Sequence, residues 1–339
     1  MRQVAIARHG GPEALELQEA PDPVPGPGEV RIRVRASGVN FADVLARMGL
    51  YPDAPPPPTV VGYEVAGEVD AVGADVEGIQ AGDRVFALTR FGGYAEAAVV
   101  ASRQVLPIPE GKDFVQAAAL PVNYLTAFLM IDRFAAVRPG DRILIHGAGG
   151  GVGLAALQLA KALGAETFGT ASAEKHERLR ALGLDHAIDY RSRDFEAEIR
   201  DLTQGRGVDV VLDPIGGESA KKSYRSLAPL GRLFLYGLSA SSAGGKKRSL
   251  ATAAKALAQT PIYHPIKLMN DNKGVFGINL GHLWGESAKM REMLDELVRR
   301  WSSGAIDPHI DSTFPLEEAG KAHDRLQERH NFGKVVLTV

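Results

Sequence analysis

The chain has 339 residues, 45% hydrophobic and 24% charged, with a formal net charge of −2. These are the proportions of an ordinary globular protein of about two domains, and the near-neutral balance argues against a nucleic-acid binder. The absence of cysteine excludes a disulfide framework, cysteine catalysis and any thiolate metal site.

The first residues, MRQVAIARHGG, lack the apolar core of a signal peptide, and no window holds about 18 uninterrupted apolar residues, so a cytoplasmic protein is expected. Residues 1 to about 120 read as short strands and turns. In EVRIRVRASG, Val30, Ile32, Val34 and Ala36 alternate with Arg31, Arg33, Arg35 and Ser37, the period of a half-buried strand. VVGYEVAGEV, DRVFAL and YAEAAVV follow, punctuated by PDPVPGPGE and YPDAPPPP, which predicts a small β-rich domain. The proline run 55–58 reads as a stiff surface loop.

From about residue 124 strands and helices alternate. RILIHG, ETFGTAS, HAIDY, VDVVLDPIGG and GRLFLYGLS are predicted strands. GLAALQLAKALG, AEKHERLRALG, FEAEIRDLT and AKKSYRSLAPLG are the helices between them. Strands apolar throughout indicate a parallel sheet covered on both faces, a doubly wound α/β domain. Further on, GVFGINL is another strand candidate. In KMREMLDELVRRWSSG, Met290, Leu294, Leu297 and Trp301 share a helical face that stops at Gly304. The closing strand GKVVLTV is expected to rejoin the β-rich half.

Between RILIHG and its helix stand Gly147, Gly149, Gly150, Gly151, Val152 and Gly153, spaced best as Gly147-x-x-Gly150-x-x-Gly153. Glycines at a strand-to-helix corner allow a tight turn and close approach, and the helix start offers free amides and a partial positive charge, which together suit a diphosphate. No G-x-S-x-G elbow occurs, so His146-Gly147 is not read as a lipase oxyanion loop. An NAD site would carry an acid at the end of the second strand. Here Thr170-Ala171-Ser172 ends it, Glu166 lies at the wrong end, and Glu174 is assigned to the following helix. Ser172 and Lys175 suit the extra phosphate of NADP, the expected cofactor.

These blocks resemble the medium-chain dehydrogenase/reductase superfamily. GVNFADVLARMGLY, VNYLTA and HGAGGGVGLAALQLAKALGA resemble its zinc-independent quinone oxidoreductases. GTASAEKHERL, LDPIGG, NKGVFGINLGHL and NFGKVVL resemble the branch of the synaptic-vesicle membrane proteins and their bacterial relatives. The resemblance implies an α/β chain with a GroES-like catalytic domain (1–122, completed by 284–339), a Rossmann NADP-binding domain (123–283), and a homodimer. It implies 2′-phosphate contacts at Ser172, Lys175 and Tyr190, with Thr170 beside them. The nicotinamide half would lie near Asn40, Thr126 and Phe276 to Ile278, with Asn331 and Lys334 in a closing segment that reaches the cofactor. The family's tyrosine two residues past the NFxD aspartate is replaced by Leu45.

The zinc enzymes of the superfamily hold metal with cysteine in a G-x-C block and histidine in a G-H-E block. Here those blocks are Gly38-Val39-Asn40 and Gly62-Tyr63-Glu64, and the structural zinc lobe is missing, so no metal is expected. Hydride delivery to quinones or to the activated C=C bond of α,β-unsaturated carbonyls then fits better than alcohol oxidation. Asn40, Tyr63, Tyr51 and Tyr124 are the candidates to hydrogen-bond the acceptor oxygen, Asn40 before Tyr63. The rival reading is an NADP-binding adaptor with a lipid- or partner-binding role. For it stands the resemblance to the vesicle proteins; the stretch SLATAAKALAQTPIYHPIKLM reads as an amphipathic surface for membrane or for substrate, and the basic triplet Lys246-Lys247-Arg248 is short for a lipid patch.

Overall fold

A computed structural model describes residues 1–242 and 250–339, so the Lys246-Lys247-Arg248 triplet and Ser249 lie outside the described residues. In chain order the first strands are β1 (Arg2–Ile6), β2 (Leu15–Glu19), β3 (Glu29–Val39), β4 (Thr59–Val60), β5 (Glu64–Val72), β6 (Arg84–Leu88), β7 (Ala97–Ala101) and β8 (Val105–Pro107), with helices α1 (Phe41–Arg47), α2 (Phe114–Ala119) and α3 (Pro121–Phe128). The central run is β9 (Arg142–His146), α4 (Gly151–Ala162), β10 (Glu166–Ala171), α5 (His176–Ala181), β11 (His186–Asp189), α6 (Phe195–Leu202), β12 (Val208–Asp213), α7 (Gly217–Arg225), β13 (Leu227–Leu235), α8 (Leu250–Gln259), α9 (Pro265–Asp271) and β14 (Gly274–Gly277). The tail is α10 (Ser287–Ser302), β15 (Ile310–Pro315), α11 (Ala319–Gln327) and β16 (Lys334–Thr338).

The described chain divides into two units, one of residues 1–125 with 281–339, the other of the described residues of 126–244 and 249–280. In the first, a seven-stranded sheet runs β15-β16-β3-β5-β6-β8, with β7 also on β3, and a three-stranded sheet runs β2-β1-β4. The last strand thus pairs with the third: Val335 faces Val39 in an antiparallel ladder. Val30, Ile32, Val34 and Ala36 are buried, as the alternation in β3 predicts. Arg31, Arg33 and Arg35 lie on the other face, where they pair with Asp70, Asp22 and Glu68. The alternation ends at Ser37, which is buried rather than outward and donates its hydroxyl to the Glu64 carbonyl at 3.1 Å. Here β3 is covered on both faces, with α2 packed on it. Met290, Leu294, Leu297 and Trp301 are the buried stripe of α10.

The second unit is a six-stranded parallel sheet of order β11-β10-β9-β12-β13-β14, the dinucleotide-fold order in which β9 and β12 flank the reversal point. Its core includes Leu144, Phe168, Ile188, Val211, Tyr224 and Leu233. The helix expected through AKKSYRSLAPLG stops at Arg225, and β13 begins at Leu227. Pro229 disfavours helix before it, and Leu230 takes a left-handed φ of 66°.

Candidate functional site

The second unit builds its site at the C-terminal end of β9. Gly147 sits at φ 63°, a conformation natural to glycine. The Ala148 amide donates to the Thr170 carbonyl at 3.0 Å, and the Gly150 amide to the Gly147 carbonyl at 2.8 Å. A Cβ on Gly153 would lie 2.4 Å from the Gly147 oxygen and 2.8 Å from the Ala148 backbone, so helix and loop meet only because side chains are missing. The first intrahelical bond of α4 is Leu154 N–H to Gly150 O. The amides of Gly151, Val152 and Gly153 therefore head the helix without an intrahelical acceptor. Gly149 lies in the turn just before them. Thr170, buried at the end of β10, stands against the loop, its Oγ1 3.3 Å from the Gly147 amide.

Ser172 follows β10 and is buried. Its hydroxyl donates to Glu174 Oε1 at 2.8 Å, and Arg191 reaches the other oxygen of that carboxylate at 3.3 Å. The expectation that no acid stands here needs correction: Glu174 lies in a 3-10 turn, not a regular helix, and the turn brings its carboxylate back to Ser172. Lys175 belongs to the same turn, its amide donating to Ser172 O at 2.9 Å. Tyr190 is half exposed, with the Arg191 guanidinium 6.0 Å from its ring. Arg191 and Glu174 were not predicted as site residues. Thr126 is buried on α3. Phe276 lies within β14 and stacks on Phe234 with centroids 5.0 Å apart, and the Ile278 amide donates to Leu235 O at 2.9 Å.

The first unit gathers a second set of groups. Asn40 precedes α1 and is buried; its Oδ1 accepts from Lys334 Nζ at 2.7 Å and its Nδ2 donates to Glu64 Oε1 at 2.9 Å. Lys334 also pairs directly with Glu64, whose other oxygen accepts the Val122 amide at 2.8 Å. Asn331, in the same closing segment, is buried and donates to Gly333 O at 2.9 Å. Nothing in the Gly62-Tyr63-Glu64 block marks Glu64 as a site residue; a buried acid beside Asn40 and Lys334 becomes visible only when β16 joins β3.

Asp43, also fully buried, accepts from the Asn40 amide at 2.8 Å, the Gly62 amide at 3.0 Å and the Tyr94 hydroxyl at 3.2 Å. Burial, opposed by these bonds and by Lys334, pushes its carboxyl up to about 7.

Tyr63 and Tyr51 line one cleft of about 280 Å³ together with Phe91, Trp284 and Arg90, and with Asp53, which is 2.9 Å from His282 Nε2. The Tyr63 ring lies 6.2 Å from Tyr51, edge to face, and 5.4 Å from Phe91. Its hydroxyl is buried with no hydrogen-bond partner. Burial first, then the charge of Asp43, holds this phenol far above the ordinary tyrosine range, so it stays protonated. Among the described residues no group of three or more His, Asp or Glu side chains is placed to hold a metal ion.

Two family models match the chain. Residues 26–110 match the family described as "Alcohol dehydrogenase GroES-like domain", and residues 182–337 that described as "Zinc-binding dehydrogenase". The chain is 42% identical over 340 residues to the Homo sapiens "Synaptic vesicle membrane protein VAT-1 homolog", covering 99% of this chain and 86% of that one. Among solved structures it is similar to the Escherichia coli quinone oxidoreductase complexed with NADPH (TM-score 0.88, 30% identity, all of both chains). It is also similar to the CurK enoyl reductase (TM-score 0.86, 31% identity, 99% of this chain and 98% of that one). With a GroES-like unit, a Rossmann-like unit and relatives matched along nearly its whole length, the chain belongs to the medium-chain dehydrogenase/reductase family, close to the VAT-1 homologues and the quinone oxidoreductases.

Proposed function

We infer that this oxidoreductase uses NADPH to reduce quinones or the activated C=C bond of α,β-unsaturated carbonyls. The glycine corner suits the nucleotide: the three leading amides of α4 lack an intrahelical acceptor and can receive a diphosphate. Gly147 to Gly153 would hold the diphosphate, with Thr170 beside them; Ser172, Lys175, Tyr190 and Arg191 would surround the 2′-phosphate, and Asn40, Thr126, Phe276, Ile278, Asn331 and Lys334 remain assigned to the nicotinamide half. NADPH, when bound, supplies the hydride.

The observation that carries the acceptor half is Tyr63, which lines a cleft of aromatic rings and whose hydroxyl is buried without a partner. A planar acceptor stacks on such rings, and a neutral phenol donates to the oxygen on which negative charge builds. The Asn40 amide already bonds Lys334 and Glu64 within its own unit, which moves the donor role to Tyr63, with Tyr51 shaping the wall. The family resemblance supports a homodimer, and the lack of an apolar leader or long apolar run in the sequence supports a cytoplasmic enzyme; among the described residues no helix is long and apolar enough to cross a membrane. The test is a steady-state assay of purified protein with NADPH and with NADH against a panel of quinones and enones. Selective NADPH consumption with at least one acceptor class is expected, and a panel with no turnover overturns the reading.

One observation favours the adaptor reading. Leu257 on α8, Ile262 in the segment that follows it, and Ile266 and Met269 on α9 are 67%, 97%, 61% and 73% exposed, a run of exposed apolar side chains on the second unit. Flotation with liposomes separates the readings: a chain that floats and turns over no acceptor is the adaptor.

A further inference from the structure

His146, the last residue of β9, is buried directly before the glycine corner. Its Nδ1 is 3.0 Å from Thr170 Oγ1 and its Nε2 is 3.0 Å from Ser223 Oγ on α7. The sense of these bonds follows from Asp213, at the end of β12. Its Oδ2 accepts the hydroxyls of Ser223 at 2.8 Å and Ser219 at 3.0 Å, and its Oδ1 accepts the amides of Ile215 at 2.7 Å and Gly216 at 3.0 Å. A carboxylate offers no proton, so the single proton of Ser223 points to Asp213, and the Ser223 oxygen must accept from His146. Nε2 therefore carries the imidazole proton, and Nδ1 accepts from the Thr170 hydroxyl. The Thr170 oxygen keeps a lone pair toward the Gly147 amide at 3.3 Å. One orientation runs from Asp213 to the first glycine of the corner. Burial holds the imidazole below the ordinary histidine range, against the pull of Asp213, which keeps the ring neutral. Phe195 closes over the ring with centroids 4.5 Å apart.

We propose that His146 is a positioning residue for the diphosphate site, fixing the Thr170 hydroxyl and through it the Gly147 turn in the arrangement that presents the loop amides. Both ring nitrogens already face buried hydroxyls, so His146 acts through Thr170 and not on a reacting atom. The proposal rests on the nucleotide reading of the glycine corner.

The test uses the full chain and two readouts. Long-range ¹H–¹⁵N spectra near neutral pH are expected to show His146 neutral and protonated on Nε2, and Ser223→Ala is expected to shift that signature toward a mixture of tautomers. In calorimetry, His146→Phe is expected to weaken ADP binding about tenfold, as loss of buried hydrogen bonds beside the loop implies. Binding of adenosine 2′-monophosphate, which lacks the diphosphate, stays within about twofold because the Ser172 region is untouched. Should His146→Phe fail to fold, Ser223→Ala gives the same comparison with a smaller ADP effect. A charged or Nδ1-protonated ring in the wild type, unchanged ADP affinity in the variants, or equal loss of both ligands overturns the positioning role. Wild-type protein that binds neither ligand overturns the nucleotide reading itself, and the proposal with it.

Discussion

Lys334 and Glu64 form an ion pair buried at both ends, their side chains 3% and 0% exposed. They are 270 residues apart in the chain and meet because β16 and β5 both flank β3. Asn40 joins both, so removing either charge strands the other away from water.

Lys334→Met is accordingly expected to destabilise the protein by about 3–5 kcal/mol, because an uncompensated buried carboxylate remains. Combining it with Glu64→Leu is expected to recover much of the loss. Urea unfolding followed by tryptophan fluorescence measures both, since Trp284 and Trp301 belong to the same unit. A single variant as stable as wild type contradicts the account.

Tyr63→Phe separates chemistry from folding. The hydroxyl has no partner, so its removal leaves stability unchanged or slightly raised. Loss of a donor to the acceptor oxygen is expected to lower kcat/KM by about tenfold to a hundredfold. Unchanged kinetics with every acceptor removes Tyr63 from the mechanism.

Glu174 places negative charge on Ser172, where the 2′-phosphate is assigned. Glu174→Gln is expected to tighten NADPH binding about three- to tenfold by removing like-charge repulsion at an exposed site, with a smaller effect on NADH. Titration of cofactor fluorescence in wild type and variant gives the ratio; equal effects on the two cofactors count against the NADP assignment.

Asp43 predicts a pH signature. Its carboxyl is raised to about 7 in the fold and titrates near 3.9 when unfolded. Between those values the folded state binds more protons, so this group's contribution to stability is greatest at the acid end and falls as pH rises through that window. The stability of wild type minus that of Asp43→Asn is therefore expected to fall from about pH 4 to about pH 7 and level off above it. A difference that stays flat shows an unshifted carboxyl and one that rises shows a lowered one; either contradicts the account.

The glycine corner, the parallel strands around it and the alternation in β3 were legible in the sequence because each is set by neighbours within a few residues. Apolar period, turn chemistry and the demand for glycine at Gly147 and Gly153 are local properties. The same locality misled at Glu174, assigned to a helix and thus away from Ser172, and at Ser37, where the period of two continues in the sequence while the strand is buried on both faces, with α2 packed on it. Arg90, Phe91 and Trp284 carried no signal at all, since nothing in their spacing says that they share a cleft with Tyr51 and Tyr63.

By itself the sequence determined the family, the two kinds of architecture and a glycine-rich strand-to-helix turn, all properties of short contiguous runs. Only the tertiary structure decided that Glu64 sits between Asn40 and Lys334, that the Tyr63 hydroxyl lacks a partner, and that Asp213 orients His146. Burial and hydrogen-bond satisfaction depend on which distant segments fold against one another, and a sheet that pairs the third strand with the last brings together groups whose separation along the chain hides their contact.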